Sequence, residues 1–169
     1  MNSPSDESTD ILIVGAGPSG LMCALLLARF DVRSVVIERN ALTDQHPKAH
    51  ELNARSIEIL RDVGVSEQDL AAEASPMEDA SRILFCRSIN EELGRIDLLA
   101  DPQRKEKYQR HLQQTLPYLN LSQSEFEKIL VDRARACPLV QLRFGHQWRS
   151  LEQREEGVTS NITGDGKDY

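Results

Sequence analysis

The sequence predicts an α/β fold: a partial doubly wound sheet around one βαβ unit, with a small β excursion. Three observations carry this. A short apolar run at 10–14, "DILIV", breaks into three glycines and resumes as the longer "PSGLMCALLLARF". A second β-branched run, "VRSVVIER" at 32–39, follows close behind. Later, the amphipathic "SQSEFEKILVDRARA" precedes the alternating "LVQLRF".

Taken in order, "DILIV" is continuously apolar and β-branched, the pattern of a strand buried on both faces of a parallel sheet. The next segment is rich in helix-forming Leu, Ala and Met, with Pro18 where a first helical turn tolerates it. Being apolar on nearly every side, this helix is expected to be buried. Residues 32–39 form a second buried strand, and the crossover is expected to be right-handed. "NALTDQHPKAH", 40–50, reads as a loop around Pro47. "ELNARSIEILRDVGV" predicts a helix with Leu52, Ser56, Ile59, Leu60 and Val63 on one face and Gly64 as its stop. Residues 66–80 give no clear pattern. "RILFCRSI" and "ELGRIDLL" predict two strands around the turn-like "NEE", and the polar 101–117 reads as a surface excursion. In the amphipathic helix Ser122 is the cap, Glu125 completes a capping box, and Phe126, Ile129, Leu130 and Ala134 share a face. "LVQLRF", 139–144, is a strand. "QWRSLEQ" and "GVTSNI" read as two more strands or a hairpin arm, and "TGDGKDY" is turn chemistry.

Composition narrows the function classes. The chain has 169 residues, enough for one domain with a real core. A formal net charge of −7 argues against a nucleic-acid surface. No apolar run approaches the ~20 residues of a membrane helix. Residues 1–9, "MNSPSDEST", are polar and acidic without a secretory pattern and read as a disordered leader. Cys23, Cys86 and Cys137 are scattered with no CxxC pair, which fits reduced thiols and a cytoplasmic setting. His46 and His50 are four apart, but Pro47 between them breaks the helix that would align them, so no metal site is expected. His111 and His146 are isolated, and Trp148 reads as core. Arg104, Lys105, Lys107 and Arg110 read as a solvated basic face around Glu106.

The chemistry lies in the glycines. Gly15, Gly17 and Gly20 form G-x-G-x-x-G between a strand and a helix. Each serves a separate purpose: a tight turn, close approach to a pyrophosphate, and helix–strand packing. The helix opened by Pro18 and Ser19 offers unpaired N–H groups and a positive dipole end to phosphates. The second strand ends in Glu38, 18 residues past Gly20. A carboxylate there accepts hydrogen bonds from adenosine ribose hydroxyls and repels a 2′-phosphate. The motif indicates a Rossmann-like dinucleotide site and does not separate FAD from NAD.

Three blocks in order, "VGAGPSGL…VVIER", "HPKAHELNARSIEILRDVGV" and "LSQSEFEKIL…VQLRFG", resemble the N-terminal part of single-component flavin-dependent aromatic hydroxylases of the p-hydroxybenzoate and phenol hydroxylase type. The resemblance covers roughly residues 9–162, least distinctively over 70–117. It implies that Gly15, Gly17, Pro18, Ser19 and Gly20 hold the FAD pyrophosphate, that Glu38 binds the ribose and that Arg39 lies beside the adenine end. It also implies that Lys48, where the family usually has arginine, sits near the flavin side. Lysine keeps the charge but loses the planar fork. Arg55 in "LNARS" matches a usual arginine, and Gln123 in "LSQ" matches a glutamine that contacts FAD. The implied reaction uses FAD, NAD(P)H as reductant, O2 and a small aromatic substrate, a phenol or a polyketide-type ring. The flavin carries the chemistry, so no catalytic residue is assigned.

The resemblance also marks a departure. Family members run to more than twice this length, with a second flavin motif, an apolar strand followed by Asp-Gly, and then a substrate domain. Here "GDG" at 164–166 follows "TSNIT" and reads as a hairpin turn before that motif. The expectation is an FAD-binding domain over 10–169, truncated before both features, with an exposed sheet edge and apolar surface. A complementing polypeptide or a homo-oligomer would then cover them. Two alternatives stand: an NAD(P)-binding oxidoreductase domain, and a non-catalytic nucleotide-binding chain or half-enzyme that needs a partner.

Overall fold

The computed structural model describes residues 7–41, 48–103, 106, 118–164 and 167–168. In chain order the elements are β1 (Ile11–Val14), α1 (Pro18–Ala28), β2 (Ser34–Glu38), β3 (Glu51–Asn53), α2 (Ala54–Asp62), α3 (Glu67–Glu73), α4 (Met77–Ala80), β4 (Arg82–Ser88) and β5 (Glu91–Asp97). They continue as β6 (Tyr118–Asn120), α5 (Gln123–Arg135), β7 (Val140–Phe144), β8 (His146–Arg154), β9 (Gly157–Gly164) and β10 (Lys167–Asp168). The chain divides into two compact units, Met1–His46 with Phe126–Tyr169, and Pro47–Glu125.

The first unit contains the expected βαβ. Strands β1 and β2 pair in parallel from Ile11 opposite Ser34 to Val14 opposite Ile37. Strand β7 pairs in parallel on the other side of β2, Ser34 opposite Val140 to Glu38 opposite Phe144. The order β1-β2-β7 makes β2 central, and its Val36 and Ile37 are fully buried. Helix α1 packs on β2 and buries Leu21, Ala24 and Leu25. Ahead of the two strands, Asp10 accepts from the backbone N–H of Arg33 at 3.1 Å and from its guanidinium at 3.3 and 3.4 Å. These bonds tie the starts of β1 and β2, and the side-chain bond above all holds the Asp10 carboxyl below its usual range.

Full burial of β1 and α1 is not observed. Ile11 and Val14 are 38% and 59% exposed, because β1 is an edge strand with β2 as its partner. Helix α1 leaves Cys23 exposed, and Phe30 just beyond it is also exposed. The same unit holds the antiparallel sheet β10-β9-β8. Strands β9 and β10 pair with Lys167 opposite Gly164, so the "GDG" segment is flanked by antiparallel strands as expected. Asp165 and Gly166 themselves lie outside the described residues.

In the second unit, residues 51–53 are not helical. They form β3, antiparallel to β6, so Leu52 is a strand residue. Helix α2 begins where the Asn53 side chain accepts from the Ser56 N–H at 2.9 Å, a cap its sequence position advertises. Its buried face is centred on Ile57 and Leu60, with Val63 next, rather than on Ser56 and Ile59. The unpatterned stretch holds α3, capped by Ser66 through the Asp69 N–H at 3.0 Å. Strands β4 and β5 form the expected hairpin, but its turn lies at 89–90, with Glu91 and Glu92 inside β5. At the start of α5, Ser122 Oγ accepts from the Glu125 N–H at 3.4 Å. From Phe126 on, α5 belongs to the first unit; there Phe126, Glu127, Leu130, Val131 and Ala134 are buried and Ile129 only half so, so the stripe is rotated from the expected one.

Residues 1–6 of the leader, 42–47 with His46 and Pro47, and Arg104, Lys105, Lys107, Arg110 and His111 of the polar excursion lie outside the described residues. Among the described residues, no helix is long and apolar enough to cross a membrane.

Candidate functional site

The glycine loop follows directly from β1. The N–H of Gly15 donates to the Ile37 carbonyl at 2.8 Å, and Gly15 has φ +106°, a conformation L side chains rarely adopt. This is the tight turn. A Cβ on Gly20 would lie 2.0 Å from the Gly15 carbonyl oxygen, so Gly20 lets α1 pack against the loop. A Cβ on Gly17 would meet nothing within 4 Å, and its φ of −75° is ordinary. The fold therefore gives no steric reason for glycine at 17; the space beside it lies open to a ligand.

Helix α1 starts at Pro18 with no side-chain cap and no acid in its first turn. The N–H groups of Ser19 and Gly20 have no carbonyl one turn earlier to bind. This helix end carries partial positive charge with no acidic residue in its first turn, which suits a pyrophosphate. These residues therefore fit the nucleotide half of FAD.

Glu38, at the end of β2, is already engaged. Its Oε2 accepts from the Ala16 N–H at 3.1 Å and its Oε1 from the Asn40 N–H at 2.9 Å. The Asn40 carbonyl in turn accepts from the N–H of Gly145 at 3.0 Å. Gly145 has φ +73° and turns the chain from β7 into β8. The His146 ring is buried. Its Nδ1 lies 2.9 Å from the Phe144 carbonyl, so this nitrogen carries the proton and donates. A Cβ on Gly164 would lie 2.4 Å from the same ring, so glycine there makes room for the imidazole.

A cavity of about 290 Å³ opens beside Glu38, bounded by Val14 and Gly15, by Ile37 and Arg39, and by His146, Gln147 and Trp148. Trp148, expected in the core, is half-buried and forms part of this wall. Its Nε1 donates to Ser160 Oγ at 3.4 Å. Its place beside Glu38 reflects β7 lying against β2, a long-range pairing that no local pattern encodes. For the same reason the sequence carries no signal that marks His146, Gln147 or Asn40 as site residues.

The structure thus brings Gly15, Gly17, Pro18, Ser19, Gly20, Glu38 and Arg39 together in one unit. Lys48, Arg55 and Gln123 belong to the other. There, Gln123 Oε1 accepts from the Ala49 N–H at 3.4 Å while its own N–H donates to the Ala49 carbonyl at 2.8 Å, pinning the segment before β3. Arg55 is exposed and pairs with Glu58 one turn on, at 2.9 Å. Lys48 is exposed.

Known proteins resemble the chain over most of its length. The 2,4-dichlorophenol 6-monooxygenase of Delftia acidovorans is 35% identical over 156 residues, covering 91% of this chain and 26% of that protein. Aklavinone 12-hydroxylase RdmE of Streptomyces purpurascens is 30% identical over 175 residues, covering 98% of this chain and 31% of that protein. Among solved structures, the flavin-dependent monooxygenase PieE, in complex with FAD and substrate, superposes with a TM-score of 0.81 at 37% identity over 99% of this chain and 29% of its own. The chain therefore spans 26% and 31% of the length of these two curated relatives. The profile of the FAD binding domain family matches residues 8–169, and the chain belongs to that family.

Proposed function

We propose that this chain is the FAD-binding portion of a flavin-dependent aromatic-ring monooxygenase, with residues 10–169 as its FAD-binding domain. The observation that carries this is the division of labour among the glycines: Gly15 and Gly20 are explained by the fold, and Gly17 by the space it leaves open. In this reading the N-terminus of α1 binds the pyrophosphate through the Ser19 and Gly20 amides. Glu38 accepts the ribose hydroxyls, and the adjoining cavity takes the adenine between Arg39 and Trp148. Lys48, Arg55 and Gln123 are further cofactor-binding residues in this reading, Lys48 supplying positive charge toward the flavin side. When bound, FAD supplies the redox and oxygen chemistry, with NAD(P)H as reductant, O2 as oxidant and a phenol or polyketide-type aromatic as substrate. The open edge of β1, with Ile11 and Val14 exposed, supports a complementing polypeptide or a second copy as partner. Scattered free cysteines support a cytoplasmic setting.

The test uses the chain's single tryptophan, which lines the cavity. FAD is added to purified protein, excess is removed and the visible spectrum is recorded. ADP and FMN are then titrated separately against Trp148 fluorescence. Retained flavin bands, with saturable quenching by ADP and none by FMN, are the expected result. Binding of NAD in place of FAD would point to a nicotinamide-dinucleotide domain. A protein that holds neither FAD nor ADP would overturn the reading.

A further inference from the structure

We propose that Glu38 is a positioning residue for the glycine loop, beyond any contact it makes with a nucleotide. Its carboxylate fastens the loop to the end of β2 and, through Asn40, to the turn between β7 and β8.

The chain of bonds is continuous. Ala16 N–H donates to Glu38 Oε2, Asn40 N–H donates to Glu38 Oε1, and Gly145 N–H donates to the Asn40 carbonyl. Ala16 is 4% exposed, so an unpaired N–H there would carry a desolvation penalty. The neighbouring Gly15 N–H takes the Ile37 carbonyl, and for Ala16 the acceptor is a side chain brought from 22 residues away. The far end of the chain of bonds is stiff. Gly145 holds a left-handed turn, and His146 packs on Gly164 while donating to Phe144.

A carboxylate has about four acceptor directions. Two are taken by Ala16 and Asn40, which leaves two for a pair of ribose hydroxyls. Holding the loop and holding the sugar therefore do not compete. The consequence is specific: removing the carboxylate loosens the loop with no nucleotide present, and it weakens binding even of a ligand without ribose hydroxyls. The ligand half of this statement rests on the nucleotide reading above; the ligand-free half does not.

The test is Glu38→Gln in the full chain. The carboxamide keeps the size but sets its NH2 against one of the two N–H donors, so one bond is lost. Without ligand, amide exchange at Ala16 or at Asn40, whichever donor faces the NH2, is expected to rise about tenfold, the factor for one charge-assisted bond, while the Leu25 and Val36 amides keep their rates. With 2′,3′-dideoxy-ADP, followed by Trp148 fluorescence, Kd is expected to rise by a similar factor. Glu38→Asp, which keeps the charge but is one methylene too short to reach both donors, should also accelerate exchange at one of the two. It replaces E38Q if that variant loses Val36 protection. Unchanged rates at both Ala16 and Asn40 in the folded variant overturn the proposal. Equal dideoxy-ADP affinity in wild type and E38Q also overturns it, leaving Glu38 as a ribose ligand and the FAD reading intact. A wild type that binds neither ADP nor its dideoxy analogue removes the nucleotide reading, and the exchange rates alone then decide the role of Glu38.

Discussion

In β2, Val36 and Ile37 are 0% and 1% exposed, whereas in the β4–β5 hairpin Ile83, Phe85 and Ile96 are 41%, 53% and 41% exposed. Both regions are apolar strands and both form as the sequence predicts. The difference lies in their neighbours. Strand β2 has a parallel partner on each side and α1 across one face. The hairpin is a two-stranded sheet. Its register sets Ile83 opposite Ile96 and Phe85 opposite Gly94, which puts Ile83, Phe85 and Ile96 on one face, with Leu84 opposite Arg95 on the other. Arg82–Asp97 and Arg95–Glu92 ion pairs serve the other. A two-stranded ribbon cannot cover its own apolar face. Apolar sequence makes a strand, but only layers around it make a core.

The contrast breaks most sharply at the glycine loop, where ligand and fold make separate demands. Gly17→Val should leave stability within about 1 kcal/mol of wild type, since its Cβ meets nothing. It should cost roughly a hundredfold in ADP affinity, about 2.7 kcal/mol, by filling the space beside the helix end. Gly20→Ala should do the reverse first, losing about 2–4 kcal/mol of stability in urea unfolding through overlap with the Gly15 carbonyl. Equal stability of the two variants would mean that the glycines do not divide their roles as described.

The burial contrast itself predicts a smaller pair of effects. Val36→Ala should lower stability by about 2 kcal/mol, and Phe85→Ser by less than about 1 kcal/mol, each read as a shift in denaturant midpoint with unchanged slope. A loss at Phe85 as large as at Val36 would show that something covers the hairpin face in solution.

The smallest effect is electrostatic. The hydrogen bond from Arg95 holds the Glu92 carboxyl below its usual range. Asp97 is held low first by the backbone N–H of Leu99 and then by Arg82. A folded-state value below the unfolded one contributes stability that is complete above the unfolded pKa, about 4, and is lost as pH falls through the folded value. These groups should therefore leave stability flat from pH 8 to 5 and lower it slightly in more acidic solution, because exposed pairs are weak. Arg95→Gln should lose less stability between pH 5 and 3 than wild type. A steeper acid loss in the variant would contradict the sign.

Much of the glycine loop was legible because its constraints are local. Gly15 needs a left-handed turn, Gly20 needs close contact with the start of the loop, and Glu38 needs only to end the next strand. The face of α2 was less legible. Its stripe depends on where the helix begins, and β3 takes Leu52 out of it by pairing with β6, far along the chain. Trp148 and His146 were not legible as site residues at all. Their place beside Glu38 follows from β7 lying against β2 and from the turn at Gly145.

The sequence by itself determined the βαβ unit and the spacing that puts a carboxylate beside a glycine-opened helix, while the choice of a flavin over a nicotinamide cofactor came only from its resemblance to a known family. The first two rest on short-range periodicity and steric rules that act within about one supersecondary unit. Only the tertiary structure decided that β1 is an edge strand, that Glu38 commits two of its acceptor directions to Ala16 and Asn40, and that Trp148 faces a cavity. Those outcomes depend on which distant strands become neighbours. A residue's burial and partners are set by that pairing, and the residue's own identity does not contain it.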